Sequence, residues 1–384
     1  MKFSRLLFLI SITVLISSCS SSKKLNKINN TSFSGLRFIN EYAFPNGTQL
    51  NSTTIGGLSG IDYDPKRNVY YMICDDPSSK GSARFYTAQI TISEKGIDTV
   101  LINDVTILKD AKGQPYPDIN KDRSHSADLE AMRYDPTRDE MIWSSEGQRF
   151  LRGEKPELQD PAVVIIDKNG NYKDSFELPA NMHIQLVEKG PRHNSVFEGL
   201  SFDEDYSHLY VSVEEPLYED GPKAGTGDST SWVRFLKFDR TTKKQVAQYA
   251  YQISSIPYPA VPPGAFKVNG VDDILYLGND QFIVIERAYS TGRVPSDVRV
   301  YLADAKNAED ISGTASLKIN PVKRPIRKKL LIDLNNSLNR YIDNIEGVTF
   351  GPLLPNNHRT LIFVSDNNFD AKQKNQFLLY EVLP

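Results

Sequence analysis

Cysteine is nearly absent. Only Cys19 and Cys74 occur in 384 residues, and a single thiol left in the mature chain cannot close an intrachain disulfide, so the fold must hold without one. Histidine is also scarce, at five. Neither H-E-x-x-H nor C-x-x-C occurs, which argues against the common zinc sites. The G-x-S-x-G elbow of serine esterases is missing, since Gly57-Leu58-Ser59-Gly60-Ile61 lacks its closing glycine. Gly221-Pro222-Lys223-Ala224-Gly225-Thr226-Gly227 lacks the ending of a phosphate loop and reads as a flexible loop. No charge of one sign dominates: the net charge is −3 with 24% charged residues. Without a basic stripe, no nucleic-acid partner is expected.

The one long apolar run lies at the start. Lys2 and Arg5 precede Leu6 to Ile16, and Ser17-Ser18-Cys19 follows. A basic start, a short apolar core and small residues before a cut make an export signal. The run falls short of the roughly 20 residues that span a bilayer. Ile16-Ser17-Ser18-Cys19 resembles the bacterial lipobox. The expectation is a signal peptide over 1–18, lipidation at Cys19, and a lipid-anchored tether over 19–35. The domain over 36–384 would then be held at a membrane of the cell envelope, periplasmic or outer-membrane, as a monomer. Cys74, inside an apolar stretch, reads as a small packed side chain.

What the chain does have is aromatic and β-branched residues, led by 19 Tyr and 18 Phe, in short runs bounded by Pro, Gly, Asn and Asp. Such runs read as strands. They fall into groups of four: Leu58–Tyr63, Val69–Cys74, Ala83–Ile92 and Thr99–Leu108; then 129–134, 140–144, 162–167 and 172–178; then 198–202, 208–213, 232–238 and 245–253; then 273–277, 281–285, 298–302 and 329–334. A fifth group has three members, 347–350, 360–364 and 377–382, and the strand at Leu36–Phe44 is the one it lacks. Five groups whose last is completed by the N-terminal strand describe an all-β propeller closed by its own ends. A sixth blade would require strands hidden in a long loop such as Gln148–Asp160 or Pro216–Ser231. Two sandwiches would give as many strands but no recurring motif.

The motif is a hairpin framed by acids. Asp128-Leu129-Glu130 leads to Ser145-Glu146, Phe197-Glu198-Gly199 to Val213-Glu214-Glu215, Val271-Asp272-Asp273 to Ile285-Glu286, and Ile345-Glu346-Gly347 to Ser365-Asp366. Glu130, Glu198, Asp272 and Glu346 recur at 68, 74 and 74 residues, a repeat long enough for a blade plus loops. In an antiparallel pair the start of one strand and the end of the next share an edge. If the first strand of each group is innermost, the acids ring one mouth of the channel. Acids at strand ends also cap turns, but their recurrence at both strand ends in four groups favours a shared site. Clustered carboxylates raise each other's pKa and call for a hard cation or basic partners.

Phe197-Glu198-Gly199-Leu200-Ser201-Phe202, Val213-Glu214-Glu215-Pro216-Leu217, Ile285-Glu286-Arg287 and Ser365-Asp366-Asn367-Asn368-Phe369 resemble the motifs of the bacterial family called esterase-like activity of phytase, or phytase-like domain. The resemblance runs from about Gly57 to Pro384. It implies hydrolysis of phosphoesters or other esters. The first group departs from the pattern, with Ser59 where Glu is expected.

On this reading Glu130, Glu198, Glu346 and His193 are the catalytic candidates. Glu146, Glu214, Glu286, Asp366 and Asp272 are the ligands of a divalent cation, calcium first. Arg287, His125 and Arg192 bind a small phosphorylated or ester substrate, because arginine forks fit phosphate. Two alternatives remain open: a non-catalytic lipoprotein that binds a ligand or partner at the propeller mouth, and a lactonase-like calcium enzyme.

Overall fold

The computed structural model describes residues 33–152 and 155–384. The signal peptide, Cys19 and nearly all of the tether therefore lie outside the described residues. The chain begins with β1 (Gly35–Phe44) and a small hairpin, β2 (Gln49–Leu50) and β3 (Thr53–Thr54). Blade one follows: β4 (Leu58–Asp64), β5 (Val69–Cys74), β6 (Arg84–Ser93) and β7 (Gly96–Ile107). Blade two is β8 (Leu129–Asp135) and β9 (Glu140–Ser145), then a hairpin of β10 (Gln148–Phe150) and β11 (Glu157–Gln159), then β12 (Ala162–Ile166) and β13 (Tyr172–Ser175). Blade three is β14 (Phe197–Phe202), β15 (His208–Val213), β16 (Trp232–Asp239) and β17 (Gln245–Gln252). Blade four is β18 (Lys267–Gly278), β19 (Gln281–Ser290), β20 (Asp297–Asp304) and β21 (Arg327–Asp333), followed by a turn of helix, α1 (Leu334–Leu338). Blade five is β22 (Asn344–Phe350), β23 (Thr360–Asp366) and β24 (Asn375–Leu383), completed by β1.

The propeller has five blades, as the sequence grouping predicts. The long loop after β9 holds only a two-stranded hairpin, and the loop after β15 holds no strand. Neighbouring β4, β8, β14, β18 and β22 pack against one another in a ring, so the first strand of each group is innermost. The apolar core sits between blades. One cluster fills each of the five seams: Met72 with Ile362, Phe85 with Trp143, Ile142 with Phe197, Phe235 with Phe282, and Ile285 with Phe363 mark them in turn. Burying each such side chain contributes roughly 1.5–3 kcal/mol, which lets the ring close without a disulfide. Cys74 is one of these packed residues, its thiol donating to the Gly56 carbonyl at 3.1 Å.

Closure also fixes where the chain ends lie. Gly35 pairs with Leu383 and Phe44 with Asn375. β24 runs from beside Asp366 towards the far side of the blade. Both Gly35 and Leu383 therefore stand at the end opposite the acid motifs.

Candidate active site

Every innermost hairpin carries the same irregularity. The pairing slips by one extra residue on the inner strand between Leu58 and Gly60, Leu129 and Met132, Phe197 and Leu200, Val271 and Asp273, and Ile345 and Gly347. A bulge of this kind re-aims a side chain. The residues it contains are Ser59, Glu130, Glu198, Asp272 and Glu346, which makes the bulge the device that brings the motif acids together. The next position is tight. A Cβ on Gly199 would stand 2.7 Å from the Ile274 nitrogen, and one on Gly347 would stand 2.9 Å from the Ser59 carbonyl.

The second strand of each hairpin supplies a second tier. Cys74, Ser145, Val213, Glu286 and Ser365 are the residues paired across from the start of the bulge. The residue after each is Asp75, Glu146, Glu214, Arg287 and Asp366. Four blades place an acid there and blade four places an arginine. Glu286, one residue earlier, falls on the other face of its strand. It is buried and satisfied by Tyr251 Oη at 2.7 Å, Ser254 N at 2.9 Å, Asn269 Nδ2 at 3.1 Å and the Lys328 ammonium. The expectation that Glu286 joins the ligands is thus not met by its placement, because blade four runs one residue out of step and Arg287 takes the position.

Arg287 divides the ring. Its Nη2 lies 2.7 Å from Asp272 Oδ1 and 3.2 Å from Glu346 Oε1, and its Nε donates to Asp272 at 2.9 Å. Burial works against its charge, but Asp272, Glu346, Glu214 and Glu198 outweigh it and keep the guanidinium ionised. Asn344 Nδ2 adds a 2.7 Å bond to Glu346. On the other side, Asp75, Asp128 and Glu130 bring one oxygen each within 4.8 Å of one another, and Glu130, Glu146 and Glu198 do the same. Either group could hold a metal ion. Buried carboxylate oxygens without a hydrogen-bond partner among the described residues include Glu146 Oε2, Asp272 Oδ2, Glu346 Oε2 and Asp366 Oδ2.

The electrostatics follow. Burial first, then the neighbouring carboxylates, lifts Asp75, Glu130, Glu198, Glu214 and Asp366 well above the usual carboxylate range. Burial and Glu146 push Asp128 to about 7, against a 2.7 Å bond from Gln148 Nε2. Burial pushes Asp272 to about 8 even beside Arg287. Burial lifts Glu146 as it does Glu198, and the contact between the two carboxyls raises Glu198 further while holding Glu146 down.

Below the ring the channel is plugged. Asp273 stands where three blades have Gly60, Gly199 and Gly347, and its two oxygens lie 2.8 and 2.7 Å from Arg133 Nη2. Arg133 also donates to the carbonyls of Ile61 at 2.8 Å and Ile274 at 3.1 Å, and Asp273 accepts from Val348 N at 2.9 Å. This pair ties four blades together and closes the floor.

The basic candidates scatter. His193 is exposed on the rim, where its Nδ1 accepts from Arg149 N at 3.3 Å; partial burial and the charges of Arg123, Lys223 and Arg149 hold its pKa down. Arg192 spends its donors on the carbonyls of Pro216 at 2.8 Å and Gly221 at 3.0 Å and stacks on Tyr218. It clamps the loop after β15 instead of pointing donors at the ring. That loop is tied down further by Lys223 on Glu215, against the expectation of a flexible segment. His125 is exposed and bonded to Asp122 at 2.8 Å. Sequence reasoning missed Asp75 and Asp128 as site residues. The signal for Asp75 was its place directly after Cys74, matching Glu146 after Ser145.

A family model described as esterase-like activity of phytase matches residues 53–369. An uncharacterized secreted protein of Arthroderma benhamiae is 27% identical over 147 residues, which is 35% of this chain and 28% of that protein. The chain thus spans little more than a quarter of that relative. Among solved structures, an endo-arabinase from Bacteroides thetaiotaomicron is 10% identical, with 86% of this chain and 95% of that chain covered at a TM-score of 0.45. The periplasmic gluconolactonase of Pseudomonas aeruginosa is 9% identical, with 86% and 87% covered at a TM-score of 0.33. The family match takes in both tiers of acids, from Asp75 to Asp366, and on it the chain belongs to the phytase-like family, esterase-like activity of phytase.

Proposed function

We propose that this protein is a cation-dependent hydrolase of anionic esters, phosphoesters foremost. The observation that carries the reading is the half-ring of Asp75, Asp128, Glu130, Glu146 and Glu198, in which the buried Glu146 Oε2 has no hydrogen-bond partner among the described residues. An all-oxygen donor set suits a hard cation such as calcium better than zinc. When bound there, such an ion would neutralise a phosphoryl oxygen and lower the pKa of an attached water.

The chain's own residues supply the rest. Arg287 is held at ring level by Asp272 and Glu346. Its guanidinium is the donor for a substrate oxygen, and its charge complements a phosphate. Glu198, lifted well above the usual carboxylate range by burial and then by Glu130 and Glu146, is the acid for the leaving group. His193, with Nδ1 accepting from the Arg149 amide, keeps its ring proton on Nε2 at the rim and donates there to the incoming ester. The plug of Arg133 and Asp273 makes the ring a well with one entrance. We read the leader and Cys19 as holding this well in the cell envelope, a reading that the description of the Arthroderma relative as secreted supports.

The test is hydrolysis of phosphomonoesters, phosphodiesters, carboxyl esters and lactones by the full-length chain, with calcium and with chelator. Phosphoester turnover is expected with calcium only, falling by about 10²-fold or more in Glu198→Gln. Turnover confined to lactones would favour the lactonase alternative. Cation binding with no turnover would leave a ligand-binding lipoprotein.

A further inference from the structure

Two metal-sized groups of carboxylates meet at one residue. Asp75, Asp128 and Glu130 form one, Glu130, Glu146 and Glu198 the other, and in each the three oxygens lie within 4.8 Å of one another. Calcium–oxygen bonds run at about 2.3–2.6 Å, so oxygens on opposite sides of one calcium stand roughly 5 Å apart, and either group is the right size to close around such an ion. We infer that the mouth holds two cations side by side, with the Glu130 carboxylate bridging them. This rests on the hydrolase reading above and gives it a specific form, a two-metal centre for phosphoester displacement, in which one cation addresses the attacking oxygen and the other the leaving oxygen.

Three further observations favour two ions over one. The first is charge. Five carboxylates share this half-ring while the guanidinium of Arg287 is bonded across the mouth to Asp272 and Glu346. One divalent ion would leave an excess of three negative charges in this half-ring, and two would leave one. The second is satisfaction. Glu146 is fully buried, its Oε1 accepts a long 3.3 Å bond from Val196 N beside the Glu198 carboxyl, and its Oε2 accepts none among the described residues. Leaving a buried carboxylate oxygen unsatisfied is costly. The third is the break in the repeat at blade one. Its bulge carries Ser59 instead of a fifth acid, and the Ser59 hydroxyl is turned onto the Glu130 carbonyl at 2.6 Å. A short residue there leaves the neighbourhood of Glu130 to Asp75 and Asp128.

The experiment counts ions, so it does not depend on finding the substrate. Calcium bound per full-length chain is measured by equilibrium dialysis, and manganese is substituted for electron paramagnetic resonance. Two calcium ions per chain are expected, with an exchange-coupled manganese spectrum from the parent protein. Asp75→Asn and Glu198→Gln should each retain one ion and lose the coupling. Glu130→Gln should weaken both by more than tenfold. A parent that binds one ion, two uncoupled manganese ions, or an Asp75→Asn variant that still binds two would each overturn the bridged pair while leaving a one-metal hydrolase standing. A parent that binds none would overturn the hydrolase reading as well. The spectrum of the parent protein decides the matter even if a variant fails to fold.

Discussion

Asp272 and Asp273 are adjacent in sequence and both buried, yet they live under opposite terms. Asp273 has a guanidinium on both oxygens and backbone amides besides, and although burial lifts it, Arg133 holds it to about 6. Asp272 has Arg287 on one oxygen and no hydrogen-bond partner among the described residues on the other, and burial lifts it to about 8. The same contrast separates the plug from the whole ring above it. A buried charge that is fully paired holds a structure together, and breaking it is costly. A set of buried charges left short of partners costs stability for as long as nothing binds, which is the condition of a site built for a ligand.

The largest effect should come from breaking the plug. Asp273→Ala strands Arg133 in the channel and is expected to cost about 3–5 kcal/mol in urea unfolding. Adding Arg133→Met should return much of that loss, because the unpaired charge goes with it. If the single variant were as stable as the parent, the pair would not be the fastener described here.

The pH dependence sharpens the comparison. Asp273, Asp128 and Asp272 stand at about 6, 7 and 8, all above the ordinary carboxylate value. The folded chain therefore keeps protons that the unfolded chain has already released. Their stabilising contribution is complete below about pH 4 and is lost as pH rises through 6 to 8. Chelated protein should melt at progressively lower temperature across that range. Saturating calcium should flatten the curve through Asp128 but not through Asp273, and differential scanning calorimetry with and without the ion distinguishes them.

The smallest effect compares two buried glutamates. Glu146→Gln should weaken calcium binding about tenfold or more. Glu286→Gln, off the ring, should leave it within about twofold while lowering stability by about 1–3 kcal/mol through its four donors. Equal losses of calcium affinity would return Glu286 to the ring.

The fold was legible because blades announce themselves locally. Short β-branched and aromatic runs mark each hairpin, with Asp64-Pro65 and Asp135-Pro136 opening the turns of the first two blades, and the spare strand at 36–44 pointed to closure by the chain ends. The ring was legible in part, because Glu130, Glu198, Asp272 and Glu346 recur at nearly constant spacing. What stayed hidden depended on register and on contacts across the channel. In blade four the acid falls one residue early, at the position paired with Val271, so Arg287 takes the place that an acid holds in the other four blades. Asp75 stood in the right place beside a serine that disguised its blade. Arg133 and Asp273 are 140 residues apart, and no local pattern joins them.

The meeting of Gly35 with Leu383 on the side away from the acids has a practical outcome. A resin, biosensor surface or fusion partner attached through either end of the propeller would present the well outward, open to solution. Immobilised protein would therefore be expected to bind cations as the free protein does, and carriers could be chosen for convenience instead of orientation.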